Sequence, residues 1–339
     1  MRSGELFSEL ASRQALTLEV VTDGPWKLWP RELRPISSWR EQPCDVGVVQ
    51  KGEFSVDRQA TFERLRRWRH RYRDLVEAEA ARLRSHADVV FGDLPPLAFD
   101  AAALAQIPSV GMANFSWDWI YEQMGFFEDA NAAARAYACA DMLIELSPGA
   151  PMRAFAHRVD GGLLGRRASA SRAALGQAVG AKPSQAVILV SLRSSWTRSF
   201  SFPATGDEVL YLFDGEHPDH PCARMVPDGW RYVDVVGASD AVVTKPGYGI
   251  IGDCSANGVR MLYALPDGFP EHRVLHAWLR KRPGCSEISA QQLETGRWRE
   301  DLYALLEASP PAPEPGAGGA RAASLLDAFL KRAAEPDQV

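Results

Sequence analysis

The sequence predicts an α/β protein with two doubly wound parallel sheets, and three observations support this fold class. Short apolar and β-branched runs alternate with longer segments of helical periodicity, which is the pattern of βαβ units. The chain has 339 residues, more than one ordinary domain core requires. Residues 186–190 (AVILV) are almost wholly apolar, as expected of a strand that helices cover on both faces.

The predicted elements divide the chain into two domains and a C-terminal extension. In the first half, the periodicity predicts helices over 3–11, 57–86, 97–106 and 130–140, and strands over 16–22, 87–91, 109–112 and 142–146. In the second half, it predicts strands over 186–190, 209–213, 241–244 and 260–264. Residues 148–185 are rich in Pro, Gly, Ala, Ser and Arg, and we place the domain boundary in this region, at about residue 165. We therefore expect domains over 1–165 and 166–309, then a Pro/Gly linker and a short helix in 310–339.

Composition excludes several classes of protein. The net charge is -5 and both signs are interspersed, so we expect no nucleic-acid partner. The five cysteines are scattered and never form a C-x-x-C pair, which disfavours disulfides and structural zinc and favours a reducing cytoplasm. The first residues lack the pattern of a signal peptide, and no apolar run is long enough to cross a bilayer. We expect a cytoplasmic protein without a transmembrane segment.

The most informative segment joins a strand to a helix in the second half. The apolar run 241–244 leads into Lys245, Pro246, Gly247, Tyr248 and Gly249, and the pattern predicts a helix from about Ile250. Two glycines allow a tight turn and close approach to a ligand, and the new helix would direct free N–H groups and its positive dipole end at a phosphate.

Asp253 would then lie on the first helical turn, where its carboxylate could accept hydrogen bonds from ribose hydroxyls. The alternative is that Asp253 only complements the helix dipole and that Gly247 only serves the turn.

Two pairs of motifs resemble a known family. VVTKPGYGIIGDCSANG at 242–258 and LPDGFPEH at 265–272 resemble the C-terminal domain of bacterial GT-B glycosyltransferases, most of all the group that includes the glycosyltransferase-like domain of plant L-arabinokinases. GDLPPLAFDAA at 92–102 and IPSVGMANFSWDWIYE at 107–122 resemble the N-terminal domain of that group. The resemblance covers about residues 16–280. It implies the GT-B type, two Rossmann-like domains facing an interdomain cleft.

The resemblance also implies an activity, the transfer of a sugar from a nucleotide-diphosphate donor without a metal or other cofactor. UDP is the expected nucleotide, and the first domain would bind an unidentified acceptor. The resemblance implies that Asp253 binds the ribose of the donor, and that Glu271 and its neighbour His272 contact the donor sugar. The residues implied in binding the diphosphate are Lys245, Gly247, Tyr248, Gly249 and Ile250.

This sequence departs from the family pattern at three places. Asp253 replaces the usual glutamate, and the loop 191–195 with Arg193, a further donor-site candidate, replaces a more glycine-rich loop. The family also begins with a strand and a glycine-histidine loop, whereas this chain begins at the helix that would follow; either its start codon was assigned too late or the first strand is missing. These departures keep two alternatives open: a catalytically degenerate module that binds a nucleotide sugar or a partner, and a nucleotide-sugar hydrolase or epimerase.

An inverting transfer needs a general base for the acceptor hydroxyl, and two carboxylates are candidates. Asp93 follows a predicted strand, at the end where open α/β sheets bind ligands, although it could be only a turn residue. Asp118 lies between Trp117 and Trp119, a combination that suits a sugar. Alternatively, the tryptophans pack and Asp118 caps a helix.

Two further segments are open to more than one interpretation. A predicted helix has arginines at 64, 66, 67, 69, 71 and 73, interleaved with Trp68 and Tyr72. This basic helix could rest on anionic lipid, which would suit a lipid-linked acceptor. Alternatively, the arginines form a charged outer face and the aromatic stripe packs on the sheet. The segment 214–220 holds His217 and His220 in a Gly/Pro loop, and we predict a solvated loop rather than a metal site.

Overall fold

The computed structural model describes residues 2–51, 55–192, 200–203, 207–215, 217, 219–265, 268–315 and 318–334. The chain divides into two compact units. The first comprises Met1–Leu164, Phe269–Glu271 and Gly319–Val339, and the second comprises Gly165–Gly268 and His272–Gly318.

The first unit contains two parallel sheets. Strands β1 (Leu18–Thr22) and β2 (Ser37–Glu41) pair with each other. A second sheet contains, in spatial order, β3 (Val90–Gly92), β4 (Ser109–Ala113), β5 (Met142–Ser147) and β6 (Arg158–Leu163). Because every pair is parallel, the carboxyl ends of neighbouring strands lie at the same edge of each sheet.

Helices connect these strands, and local signals account for their ends. They are α1 (Arg2–Ala11), α2 (Arg58–His86), α3 (Pro96–Ala105), α4 (Trp117–Gln123) and α5 (Phe127–Ala138), with 3-10 turns at Trp26–Leu28 and Arg31–Ile36. The long α2 begins where the Asp57 carboxylate accepts a hydrogen bond from the amide of Ala60, 2.9 Å away. Helix α3 begins with Pro96, whose fixed φ suits a first helical turn.

The second unit contains one six-stranded parallel sheet. Its strands are β7 (Ala186–Ser191), β8 (Val209–Phe213), β9 (Ala223–Met225), β10 (Ala241–Thr244), β11 (Arg260–Tyr263) and β12 (Cys285–Glu287), in the spatial order β12-β11-β10-β7-β8-β9. Strands β8 and β10 are buried along their whole length, as apolar strands covered on both faces should be.

The helices of the second half follow these strands. They are α6 (Arg172–Val179), α7 (Tyr232–Ala238), α8 (Tyr248–Asn257), α9 (Glu271–Leu279), α10 (Ala290–Thr295) and α11 (Arg299–Glu307). The last helix, α12 (Ala320–Ala334), belongs to the first unit, where its buried Leu326 joins Leu6 and Leu10 of α1 in one apolar cluster. Of the described helices, none is both long enough and apolar enough to span a membrane.

The α/β prediction is confirmed, and strands 209–213 and 241–244 were predicted with the observed bounds. The region 148–185, in which no strand or helix was predicted, contains β6 and α6. Strand β6, with the sequence RVDGGL, pairs with β5. It was not predicted, because its glycines and charged residues do not form an apolar run. Strand β2 (SSWRE) was missed for the same reason, since it lacks an apolar run.

Candidate functional site

The sheet of the second unit reverses its order of connection between β7 and β10. From β7 the chain continues to β8 and β9 on one side, and from β10 it continues to β11 and β12 on the other. Ser191 and Thr244, the last residues of these two strands, are register partners. Ligands of open α/β sheets bind at the carboxyl ends of the strands beside such a reversal. The loops after Ser191 and Thr244 therefore lie where this sheet is expected to bind a ligand.

The loop after β10 leads directly into helix α8. The helix begins at Tyr248, two residues before the predicted start, so that prediction was wrong at this boundary. Gly247 has extended torsion angles (φ -137, ψ 165) and acts as the N-cap, and its carbonyl oxygen accepts from the amide of Ile251, 3.1 Å away. The amides of Tyr248, Gly249 and Ile250 thus form the first turn, in which N–H groups lack intrahelical acceptors.

The two glycines of this junction face open space. A Cβ atom added at Gly247 or at Gly249 would meet no atom within 4 Å. Gly249 is exposed, and the N-cap glycine has no side chain that could occupy the first-turn amides. The positive end of the α8 dipole adds to the attraction for an anion. The junction has the geometry of a phosphate site.

Hydrogen bonds from hydroxyl groups connect the ends of strands β7 and β10. The Thr244 Oγ1 atom donates to the carbonyl oxygen of Ser191 at 2.9 Å. The Ser191 hydroxyl forms a hydrogen bond with the Tyr232 hydroxyl of α7, and burial raises the pKa of Tyr232 to about 12. Arg193, predicted for the donor site, lies outside the described residues.

Asp253 has a different position from the one predicted. Because α8 starts at Tyr248, Asp253 is its sixth residue and lies on the second turn, so its placement on the first turn was wrong. The side chain is 4% exposed, and its Oδ1 atom accepts from the backbone amide of Arg166 at 2.9 Å. The Arg166 guanidinium forms an ion pair with the same carboxylate. A ribose contact stays a prediction, and it would have to share this carboxylate with Arg166.

The Asp253 pair is one of several contacts that hold the segment 165–169 against α7 and α8. The Asn257 amide nitrogen donates to the carbonyl oxygen of Arg166 at 2.8 Å. The Asp234 carboxylate accepts from the amide of Ser169 at 2.7 Å. A Cβ atom at Gly165 would lie 2.1 Å from the carbonyl oxygen of Gly252, so the two backbones touch. This segment supports the helix that carries the junction.

Glu271 and His272 open helix α9, in the segment that leaves the carboxyl end of β11. Strand β11 pairs with β10, so this segment and the junction leave the same edge of one sheet. His272 is buried, and Glu271 is half-buried. Pro266 and Asp267, part of the motif that precedes them, lie outside the described residues. Donor-sugar binding by Glu271 and His272 stays a prediction.

In the first unit, Asp93 and Asp118 follow neighbouring strands of one sheet. Asp93 comes directly after β3, and its Oδ2 atom accepts from the Ser3 hydroxyl at 2.7 Å. Asp118 is the second residue of α4, which begins shortly after β4. Burial raises the pKa of Asp118, against the opposing effect of the Ser116 hydroxyl and of the Trp119 and Asp118 amides. The N-cap of α4 is Ser116, so the interpretation of Asp118 as the cap of this helix was wrong. The Oδ1 atom of Asp118 is buried and has no hydrogen-bond partner in the described part of the chain.

Trp117 leads to a carboxylate that the sequence analysis missed. Its ring stacks on Tyr121 with centroids 5.6 Å apart, as in the packing interpretation. Its indole N–H donates to the Oδ2 atom of Asp45, 2.9 Å away. Burial raises the pKa of Asp45, and the charges of Asp23 and Asp93 raise it further. Asp45 follows β2. Because β2 was not predicted, Asp45 could not be identified from the sequence as a carboxylate that follows a strand.

The histidine loop shows aromatic contacts. The His217 ring lies 5.9 Å from that of Phe213, and the His220 ring lies 5.8 Å from that of Tyr211. Glu216 and Pro218 of this loop lie outside the described residues. Across the described ranges, no three His, Cys, Asp or Glu side chains come together as a metal site would need.

Solved structures with this arrangement of strands and helices are known. Arabidopsis thaliana UGT89C1 matches with a TM-score of 0.63 at 14% identity, over 97% of this chain and 96% of that one. The calicheamicin glycosyltransferase CalG4 matches with a TM-score of 0.59 at 18% identity, over 98% and 95%. This chain has the GT-B fold. The GT-B prediction from the two motif pairs is therefore confirmed, as a statement about the fold.

One curated protein is similar in sequence over most of this chain. The chain is 28% identical over 323 residues to an L-arabinokinase from Arabidopsis thaliana. The match covers 91% of this chain but 31% of the plant protein, so the chain spans about a third of that relative. No family model matches the sequence.

Proposed function

We propose that this protein is a glycosyltransferase that takes a sugar from a nucleotide-diphosphate donor, with UDP as the nucleotide, and that it needs no metal. One observation carries the proposal: Gly247 and Gly249, at the start of α8, both face open space beside the reversal between β7 and β10. Support comes from UGT89C1, a GT-B structure solved with UDP and with UDP-L-rhamnose.

In this proposal the second unit binds the donor. The amides of 248–250 hold the diphosphate, with Lys245 beside them, and Gly247 and Gly249 let its oxygens approach the backbone. Glu271, His272 and Arg193 would contact the donor sugar or phosphates. As the glycosidic bond breaks, negative charge grows on the leaving diphosphate, and fixed amides with the helix dipole stabilise it without a metal ion.

The first unit would supply the acceptor site and the general base. The oxygen of the acceptor hydroxyl attacks the anomeric carbon of the donor sugar, and a carboxylate of the protein takes the proton of that hydroxyl. Asp93, Asp118 and Asp45 are the candidates, because each follows the carboxyl end of a strand. Burial raises the pKa of Asp118 and of Asp45, and a raised pKa makes a carboxylate a stronger base for this step.

The donor site can be tested by calorimetric titration of the whole chain with UDP, GDP and UMP. We expect UDP to bind more tightly than UMP, because UMP lacks the second phosphate. Gly249→Leu should abolish UDP binding, since the new side chain fills the open space at the amides, while the melting temperature stays the same or rises. Glu300→Leu, in the first turn of α11, is the matched control and should bind UDP normally.

Three outcomes would count against parts of the proposal. If the wild-type chain bound no nucleoside diphosphate, the donor site would be wrong. Tighter binding of GDP than of UDP would correct the nucleotide. If a labelled UDP-sugar were converted to free sugar or to an epimer rather than transferred, the hydrolase or epimerase alternative would replace transfer.

A further inference from the structure

The amino-terminal half of helix α2 carries a concentrated positive charge. Residues 58–73 contain seven arginines and one glutamate, so seven minus one gives a net charge of +6 with neutral histidine. The remaining residues of the helix, 74–86, contain two arginines and three acidic residues, which gives -1. The whole chain has a net charge of -5. The positive segment therefore stands out from a protein that is acidic elsewhere.

The aromatic residues interleaved with these arginines point inward. The Tyr72 hydroxyl donates to the Oδ2 atom of Asp100 in α3, 2.7 Å away. Trp68 packs against the apolar cluster that contains Leu65 and Ile120. The structure thus supports the alternative in which the aromatic stripe packs within the fold. Trp68 and Tyr72 are both half-buried, and the Arg71 guanidinium lies over the Trp68 ring, 5.7 Å from its centroid.

Several arginines of this segment remain on the surface. Arg66 and Arg67 are exposed, and neither has an ion-pair partner within the described residues. Arg69 is different, because it pairs with Glu128 and Asp129 of α5. The pairs of Arg69 show that the first turn of α5 lies beside the middle of the basic segment.

Two exposed phenylalanines flank the free arginines. Phe62 is 41% exposed and lies four residues before Arg66, on the same side of α2. Phe127 is 64% exposed and opens α5. The ring of Phe126, its neighbour in the chain, lies 6.2 Å from that of Phe62. Phe62, Arg66 and Phe127 thus lie on one side of α2, and the exposed Arg67 follows Arg66 around the helix; we call these four residues the Phe–Arg surface.

We propose that the Phe–Arg surface docks on an anionic lipid membrane. Phenyl side chains exposed beside unpaired arginines suit the boundary of headgroups and acyl chains, where the rings enter the apolar layer and the guanidinium groups bind lipid phosphates. A nucleic acid fits less well, because Trp68 and Tyr72, the aromatic residues interleaved with the arginines, pack within the fold and leave only Phe62 and Phe127 to stack on bases. The inference does not depend on the proposed transferase activity.

Vesicle flotation of the whole chain tests the proposal. Binding to vesicles of phosphatidylcholine with phosphatidylserine is expected, with little binding to phosphatidylcholine alone and release at high salt. Arg66→Gln with Arg67→Gln should lower the partition coefficient about 30-fold, at roughly 1 kcal/mol for each arginine. Phe62→Ser with Phe127→Ser should also lower it. The matched control, Lys331→Gln with Arg332→Gln on α12, removes the same charge from another exposed segment and should bind like wild type.

Any of three results would overturn the proposal: no binding to anionic vesicles, equal binding to neutral ones, or an equal loss in the control and in the arginine variant. Salt-sensitive binding to duplex DNA without binding to vesicles would assign the surface to nucleic acid instead. Melting temperatures of all variants show whether a loss reflects unfolding.

Discussion

The backbone amide of Arg166 donates a hydrogen bond to the Asp253 carboxylate over 2.9 Å, and the guanidinium of Arg166 pairs with the same carboxylate. Arg166 belongs to the segment that enters the second unit, and Asp253 belongs to the helix that begins at the candidate phosphate site. The pair therefore holds that helix at its second turn, away from the turn at Gly247.

Asp253→Ala should lower the free energy of unfolding by about 1–3 kcal/mol, because a buried N–H and a half-covered guanidinium lose their acceptor. Asp253→Asn keeps one acceptor oxygen and should cost less. Urea denaturation measures both. Asp160→Ala removes the exposed pair with Arg321 and the exposed acceptor of the Gly162 amide, and it serves as the control, with an expected change of about 0–1 kcal/mol. If Asp253→Asn weakened UDP binding at unchanged stability, the ribose role would be supported instead.

Two glycine substitutions should have opposite effects on stability. Gly165→Ala places a methyl group 2.1 Å from the carbonyl oxygen of Gly252, so we expect a loss of about 1–3 kcal/mol or more from forced backbone movement. Gly249→Ala meets open space inside a helix and should raise stability by up to about 1 kcal/mol. Thermal denaturation of the two variants compares them directly. Equal stability of both would contradict the contact between Gly165 and Gly252.

Asp45→Asn should stabilise the protein in a pH-dependent way. Burial raises the pKa of Asp45 in the folded state above its ordinary value of 3.8. The free energy of unfolding therefore falls as the pH rises from 3.8 through the raised pKa, because the buried carboxyl group must ionise. Asparagine does not ionise and can still accept from the Trp117 indole. The variant should match wild type in acid and exceed it at neutral pH, in denaturation curves across the range. A stability difference that does not change with pH would contradict this account.

The general base can be identified by kinetics once a donor and acceptor are known. If Asp118 is the base, Asp118→Asn lowers kcat about 100-fold to 10,000-fold and leaves UDP affinity unchanged. Asp93→Asn and Asp45→Asn test the other two candidates in the same assay. Asp88→Asn is the control, because Asp88 is exposed and lies before β3, at the opposite end from Asp93. A full rate in all three candidate variants would exclude a carboxylate base from this group.

Local patterns were enough for much of the fold and for the location of the strand–helix junction at 245–250. Buried parallel strands such as 209–213 and 241–244 have continuous apolar runs, and glycine between a strand and a helix marks a turn that a ligand can approach. Strands β2 and β6 escaped prediction because pairing with a neighbour, rather than their own residues, makes them strands. The start of α8 was misplaced because Gly249 looks like a loop residue but is tolerated in a first turn.

By itself, the sequence determined the α/β class, the GT-B resemblance and the junction at 245–250, since these depend on short-range periodicity and on residue types at fixed spacing. Only the tertiary structure decided the partners of the carboxylates. Arg166 and Asp253 are 87 positions apart, and Asp45 and Trp117 are 72 apart. A carboxylate has the same sequence signature whether it faces a ligand, a guanidinium or an indole, and only folding brings one of these to it.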